Sequence, residues 1–198
     1  MAEFAFDWVM EKLKTVLTPE RYAHSVGVME TAVTLAARFG ADEEKAKIAG
    51  ILHDCAKNIA PEESYRLCGV YGLTLDAVTQ QSYKMVHQYL GAELARDLYG
   101  VTDVEILDAI RCHTTGKADM TLLDKVLYLA DFTEPNRDKE PFAGLDTLRE
   151  LCETDIDEAM RFALKISIKS IADRGLLMHL DTVHAWNWFL TKKLTQNT

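Results

Sequence analysis

The chain has 198 residues, 48% of them hydrophobic, and a formal net charge of −9. That length and apolar content predict one domain with its own core, and the acidic balance excludes nucleic acid or an anionic membrane surface as the main partner. No apolar run is long enough to cross a bilayer, the first residues lack the basic-then-apolar order of a secretory signal, and Cys55, Cys68, Cys112 and Cys152 are widely spaced with no C-x-x-C, which predicts free thiols in a reducing, cytoplasmic setting.

Residues 3–17 place Phe4, Trp8, Val9, Leu13, Val16 and Leu17 at helical spacing. Thr18 reads as an N-cap with Pro19 at the first helical position, and the helix so begun runs to Phe39, where Gly40 stops it. It carries His24 one turn before Val28; a lone histidine on an apolar face reads first as a core residue. Asp42 caps the next helix, with Glu43 and Glu44 in the turn where the helix dipole favours them. Its apolar run, Ile48-Ala49-Gly50-Ile51-Leu52, delivers His53-Asp54 and then Cys55-Ala56-Lys57. A buried run rarely ends in an imidazole beside a carboxylate unless both have partners.

A short helix follows over 61–69, and one helical turn over 75–78. Residues 86–99 form a strong helix with His87, Leu90, Leu94 and Leu98 on one face, stopped by Gly100. A helix over 103–112 leads to His113 and the polar turn Thr114-Thr115-Gly116-Lys117. Thr121 caps a helix ending at Asp131, and Glu134-Pro135-Asn136-Arg137-Asp138 breaks it into a loop. The last helices fall near 145–152, 156–172 and 182–194, with Arg174-Gly175 turning between the final two. Trp186, Trp188, Phe189 and Leu190 are expected to pack the last helix onto the body. No period-2 strand occurs, so the predicted class is all-α: a single domain over 1–198, with a core at about 19–175 and helix 182–194 packed on it.

His24, His53, His87 and His113 with Asp54 and Asp131 run in the order H…HD…H…H…D. Each comes from a different helix or helix end, except the adjacent pair. Helices of a bundle can project such groups into one cavity, and neutral imidazole with ionised carboxylate binds divalent metals. These ligand types alone leave iron, manganese, cobalt and zinc open.

This order resembles the HD-domain superfamily of metal-dependent phosphohydrolases. The resemblance implies a helical bundle with a metal on His24, His53, Asp54 and Asp131, and His87 with His113 fits the members that hold a second ion. His-Asp-Cys-Ala-Lys (53–57), Cys-His-Thr-Thr-Gly (112–116) and Ala-Asp-Phe-Thr-Glu-Pro-Asn-Arg (130–137) look like the YqeK family, over roughly residues 19–190. That family implies an enzyme, a symmetrical bis(5′-nucleosyl)-tetraphosphatase, splitting diadenosine tetraphosphate into two ADP with iron as the metal.

The chemistry expected of such a site is attack on a phosphorus by a hydroxide, because a divalent ion lowers the pKa of its water from 15.7 to about 7, and the family resemblance implies an inner phosphorus. Asp54 and Lys57 are then the catalytic pair. Lys57 stands one helical turn beyond Asp54, Arg137 could grip phosphate bidentately, Thr114 offers a hydroxyl, and Arg174-Gly175 offers a guanidinium and a pliant turn. Together with His24, Asp54, His87, His113 and Asp131 they form the expected substrate contacts. Other readings are a nucleoside mono- or triphosphate phosphohydrolase and a nucleotide-binding regulatory module with little turnover. The oligomeric state is open, a homodimer being one option.

Overall fold

Eleven α-helices and one 3₁₀ turn make up the secondary structure of the computed structural model, which describes residues 4–139 and 142–196, with no strand among them. They are α1 (Phe6–Val16), α2 (Pro19–Phe39), α3 (Glu43–Leu52), α4 (Pro61–Val70), α5 (Ala77–Gln81), α6 (Tyr83–Tyr99), α7 (Val104–Cys112), α8 (Leu122–Thr133), α9 (Leu145–Thr154), α10 (Ile156–Asp173) and α11 (Leu180–Gln196). The all-α expectation holds.

The predicted caps explain several of the boundaries. The Thr18 hydroxyl accepts the Arg21 amide at 3.3 Å, and Gly40 closes α2 in the left-handed region at φ +79°. The Asp42 carboxylate accepts the Lys45 amide at 3.0 Å, and Thr121 forms a reciprocal capping box with Asp124. Helices α2, α3, α7 and α8 pack around one core that includes Val28, Ala32, Ala49, Leu52, Ile110 and Leu127, all fully buried. Gly50 allows the closest approach: a Cβ there would lie 2.6 Å from the Cα of Met29. This contact brings the end of α3, and so His53, against α2, which carries His24.

Several expectations need correction. The turn predicted at 75–78 is α5, shifted along the chain, because the Asp76 carboxylate accepts the amides of Val78 and Thr79 and so caps the helix from outside it. Helix α6 starts at Tyr83 rather than 86, and α11 starts at Leu180 rather than 182. The loop after Glu134 is a 3₁₀ turn, Pro135–Lys139. The predicted first helix begins at Phe6, and residue 3 lies outside the described residues. Trp8, Leu98 and Trp188 are 50%, 52% and 42% exposed, so helical spacing put them on a face whose edge meets solvent. Phe189 and Ala185 are the buried apolar residues among those described in α11, and Lys192 ties it to Asp157 of α10 at 2.6 Å. All four cysteines are buried free thiols, and no described helix is long and apolar enough to cross a membrane.

Candidate metal centre

Each histidine of the predicted set enters the centre with one nitrogen already committed. His53 caps α3, and its Nδ1 donates to the carbonyl of Gly50 at 2.8 Å. His87 on α6 donates from Nδ1 to the Lys84 carbonyl at 2.6 Å, and His113, capping α7, to the Ile110 carbonyl at 2.7 Å. A carbonyl only accepts, so these Nδ1 atoms hold the protons and the three Nε2 atoms present bare lone pairs. Helical geometry produces this pattern, since the acceptor is three residues back in each case.

The bare nitrogens then meet one another and two carboxylates. His87 Nε2 lies 3.0 Å from His113 Nε2 and 3.1 Å from Asp54 Oδ1. His113 Nε2 lies 3.5 Å from the same oxygen, and His53 Nε2 lies 3.7 Å from Asp54 Oδ1 and 3.9 Å from Asp131 Oδ1. His53 Nε2 is fully buried and has no hydrogen-bond partner. Acceptors crowded against acceptors, with one orphaned in the interior, call for a cation between them. His24, His53 and Asp131 form one triad of atoms within 4.8 Å of one another, and His53, Asp54 and His113 form a second that shares His53. The chain therefore fits a divalent metal, and the predicted six all converge; His87 stands just outside both triads.

The electrostatics agree. Burial pushes His53 and His87 down to about 4, with the Lys57 charge adding to the effect on His87, so both are neutral at pH 7. Burial alone would raise the Asp54 and Asp131 carboxyls, but the neighbouring imidazoles hold both well below the usual carboxylate range. His24 differs. Its burial would lower it, yet the hydrogen bond from Nε2 to Asp131 (3.1 Å), that carboxylate's charge and the bond from Nδ1 to Glu134 (3.0 Å) together raise it. A metal held by His24 through Nε2 would displace that proton. Metal uptake near neutral pH should therefore release protons and weaken as pH falls through the raised His24 value; calorimetry in buffers of different ionisation enthalpy reads this, and uptake without proton release would contradict it.

Cations stand at the rim. Lys57 Nζ lies 3.2 Å from Asp54 Oδ1 and 2.9 Å from His87 Nε2. Arg137 donates to the Asp131 carbonyl at 2.9 Å and to its carboxylate at 2.7 Å. The Thr114 hydroxyl lies 3.3 Å from His87 Nε2 and 3.2 Å from His113 Nε2. Lys57 and Arg137 share a cleft of about 530 Å³ with His24, Asp54 and Asp131. Arg174 and Gly175 are not in it. They line a second pocket of about 560 Å³, whose floor includes Thr114 and Thr115. A smaller cavity shares Arg21 and Lys57 with the cleft and Tyr83, Lys84 and Thr114 with the pocket, so it neighbours both.

The sequence reading missed several contributors. Arg21 lies 3.8 Å from Asp54 and lines the cleft; its place three residues before His24, on the same face of α2, was the available signal. Glu134 is buried and orients His24, while its second oxygen accepts the amide and side chain of Asn136 at 2.7 and 3.0 Å. Gly27 leaves room for that carboxylate: a Cβ there would collide with Glu134 Oε2. Buried Gln88 accepts the Thr114 amide at 3.1 Å and so fixes the turn after His113.

An all-helical bundle converging imidazoles and carboxylates on one buried point, with cations at its rim, fits the class of helical-bundle hydrolases that use a divalent metal. The HD domain pattern matches residues 21–136, and the chain belongs to the HD-domain family. It is 41% identical over 179 residues to "Bis(5′-nucleosyl)-tetraphosphatase, symmetrical" of Bacillus subtilis, covering 90% of this chain and 94% of that one. The protein of the same name from Halalkalibacterium halodurans is 35% identical, covering 93% of this chain and 96% of the relative. The crystal structure of a predicted HD superfamily hydrolase involved in NAD metabolism from Clostridium acetobutylicum superposes with a TM-score of 0.91 at 36% identity, over 96% of this chain and all of that one.

Proposed function

We propose that this chain hydrolyses diadenosine tetraphosphate and related dinucleoside polyphosphates symmetrically, giving two ADP. The observation that carries the reading is the cation-seeking cluster of His24, His53, Asp54, His113 and Asp131 opening onto neighbouring cavities edged by Arg21, Lys57 and Arg137. Substrate choice is supported by the names of the relatives at 41% and 35% identity. His24, His53, Asp54 and Asp131 would hold the metal, iron first, with manganese or cobalt within the same ligand chemistry. His87 and His113 would hold a second ion. When bound, the divalent metal supplies Lewis acidity and lowers the pKa of water from 15.7 to about 7.

The chain's own residues do the rest. Phosphoryl transfer depends mainly on positioning and charge. Lys57, held between Asp54 and His87, sets an ammonium where the reacting phosphate meets the cluster. Arg137, braced by both oxygens of its Asp131 contact, has its free edge in the cleft for a neighbouring phosphate. Thr114 offers a hydroxyl to the same phosphate chain, and the pocket of Arg174 and Gly175 takes the nucleoside. We place the enzyme in the cytoplasm as a single domain.

A nucleotide panel with and without added metal tests the reading. Turnover of dinucleoside tetraphosphate should exceed that of mono- and triphosphates; preference for the latter, or tight binding without turnover, would overturn it. Lys57→Ala and Arg137→Ala should each lower turnover by about 100-fold, the usual size for losing one electrostatic donor. Their side chains are 29% and 39% exposed, so thermal stability should stay within about 0.5 kcal/mol of wild type. Wild-type kinetics in both variants would refute the assignment.

A further inference from the structure

The nucleoside pocket has two walls from distant parts of the chain. One is the end of α5 and the start of α6, with Gln81, Tyr83 and Met85; the other is the end of α10 and the segment 174–179. The second wall leaves α10 through Gly175, at φ +61°, and then runs over Leu176 and Leu177, 50% and 48% exposed. His179 is where this segment turns back inward; its side chain is only 7% exposed.

His179 Nδ1 accepts the backbone amide of Asp181 at 3.1 Å. The ring proton of the neutral form is therefore on Nε2, which donates to Asp76 Oδ2 at 2.8 Å. Asp76 is itself fixed. Its Oδ1 accepts the amides of Val78 and Thr79, and its Oδ2 accepts the Thr79 hydroxyl at 2.5 Å. The Tyr89 hydroxyl of α6 lies 3.3 Å from the same Nε2. Among the described residues, the polar side-chain contacts that join the α5 cap and α6 to the 174–182 segment meet at His179 Nε2. Behind it, the Thr182 hydroxyl donates to the Thr115 carbonyl at 2.9 Å, seating the start of α11 on the pocket floor.

We propose that His179, clasped to Asp76, is a positioning residue that holds the two walls of the nucleoside pocket at binding distance. This rests on the reading of the pocket given above. The bond is a pre-formed link between elements remote in sequence, and a substrate entering an already assembled pocket loses less freedom on binding. The residue lies apart from the His/Asp cluster and touches none of its members, so it acts on capture of the nucleoside and not on the reacting phosphate.

The test compares wild type, His179→Phe, which keeps a ring and loses both nitrogens, and His179→Gln, whose amide can donate from the place of Nε2. KM for diadenosine tetraphosphate and calorimetric affinity for ADP are measured alongside kcat, metal content and thermal stability. His179→Phe should raise KM and weaken ADP by about tenfold, the scale of one charge-assisted hydrogen bond, with kcat within about twofold and metal content unchanged. His179→Gln should recover most of that loss. Unchanged KM and ADP affinity in His179→Phe, with an active wild type, would overturn the clasp alone. So would a collapse of folding in both variants, because a wall clasp leaves the bundle intact. A wild type that makes no ADP would overturn the reading of the site, and the clasp with it.

Discussion

Asp54→Ala should strip the protein of metal and of turnover together while leaving its helices in place. Asp54 Oδ1 is the atom on which the centre converges: His87, His113 and His53 lie 3.1, 3.5 and 3.7 Å from it, and Lys57 lies 3.2 Å away. Removing it deletes a proposed metal ligand and leaves the lysine without its buried counter-charge. The loss of activity should exceed the roughly 10–100-fold cost of losing a group that merely orients a ligand. The fold should tolerate the change, because Asp54 follows α3 and its side chain makes no capping bond to that helix. Elemental analysis and far-UV circular dichroism decide the matter: unchanged metal content in the variant would remove Asp54 from the site. In the same assay His87→Ala should lower the content by about one ion if two are held, since His87 and His113 would share the second.

Gly50→Ala should be the most damaging single-methyl change in the α2–α3 packing. The added carbon would sit 2.6 Å from the Cα and 3.0 Å from the N of Met29, which are backbone atoms of α2 and cannot swing aside as a side chain could. Overpacking of this kind costs up to about 3 kcal/mol. At about 2–4 °C per kcal/mol for a chain of this size, the melting temperature should fall by roughly 6–12 °C. The change also pushes α3 off α2, and His53 with it, because the Gly50 carbonyl holds His53 Nδ1. Metal affinity should therefore drop along with stability. A melting temperature equal to that of wild type would show that the two helices separate freely at this point.

The residues proposed for the metal, which the fold brings together, stood out in the sequence because their cues are local. His53 and His113 each end an apolar helical run, Asp131 lies near the end of another, and caps such as Thr18, Asp42 and Thr121 announce where helices begin. What the sequence hid depends on contacts between distant positions. Glu134 orients His24 from 110 residues away, and nothing in the neighbourhood of either residue announces the partner. Arg174 and Arg137 looked alike as basic residues beside turns, yet they line different cavities, Arg137 with His24 and Asp131 and Arg174 with residues 81–85 and 114–115. Helical spacing identified apolar faces but not their margins, so Trp8, Leu98 and Trp188 were assigned to packing and stand partly in solvent. His179 carried no signal at all, since its meaning comes from Asp76, 103 residues earlier.

The position of the cut tests the central claim most directly. Diadenosine tetraphosphate is symmetric about its central bridging oxygen, so attack at an inner phosphorus with ADP departing gives two ADP, whereas attack at an outer phosphorus gives ATP and AMP. The proposed arrangement holds one ADP half with its nucleoside in the Arg174–Gly175 pocket and its terminal phosphate at the His/Asp cluster beside Lys57, and the other half leaves along the cleft. Hydrolysis in ¹⁸O-labelled water, with products separated by charge, should give ADP as the sole product, labelled on the terminal phosphate of one of the two molecules formed. ATP and AMP in equal amounts would contradict the account, even with every metal ligand confirmed.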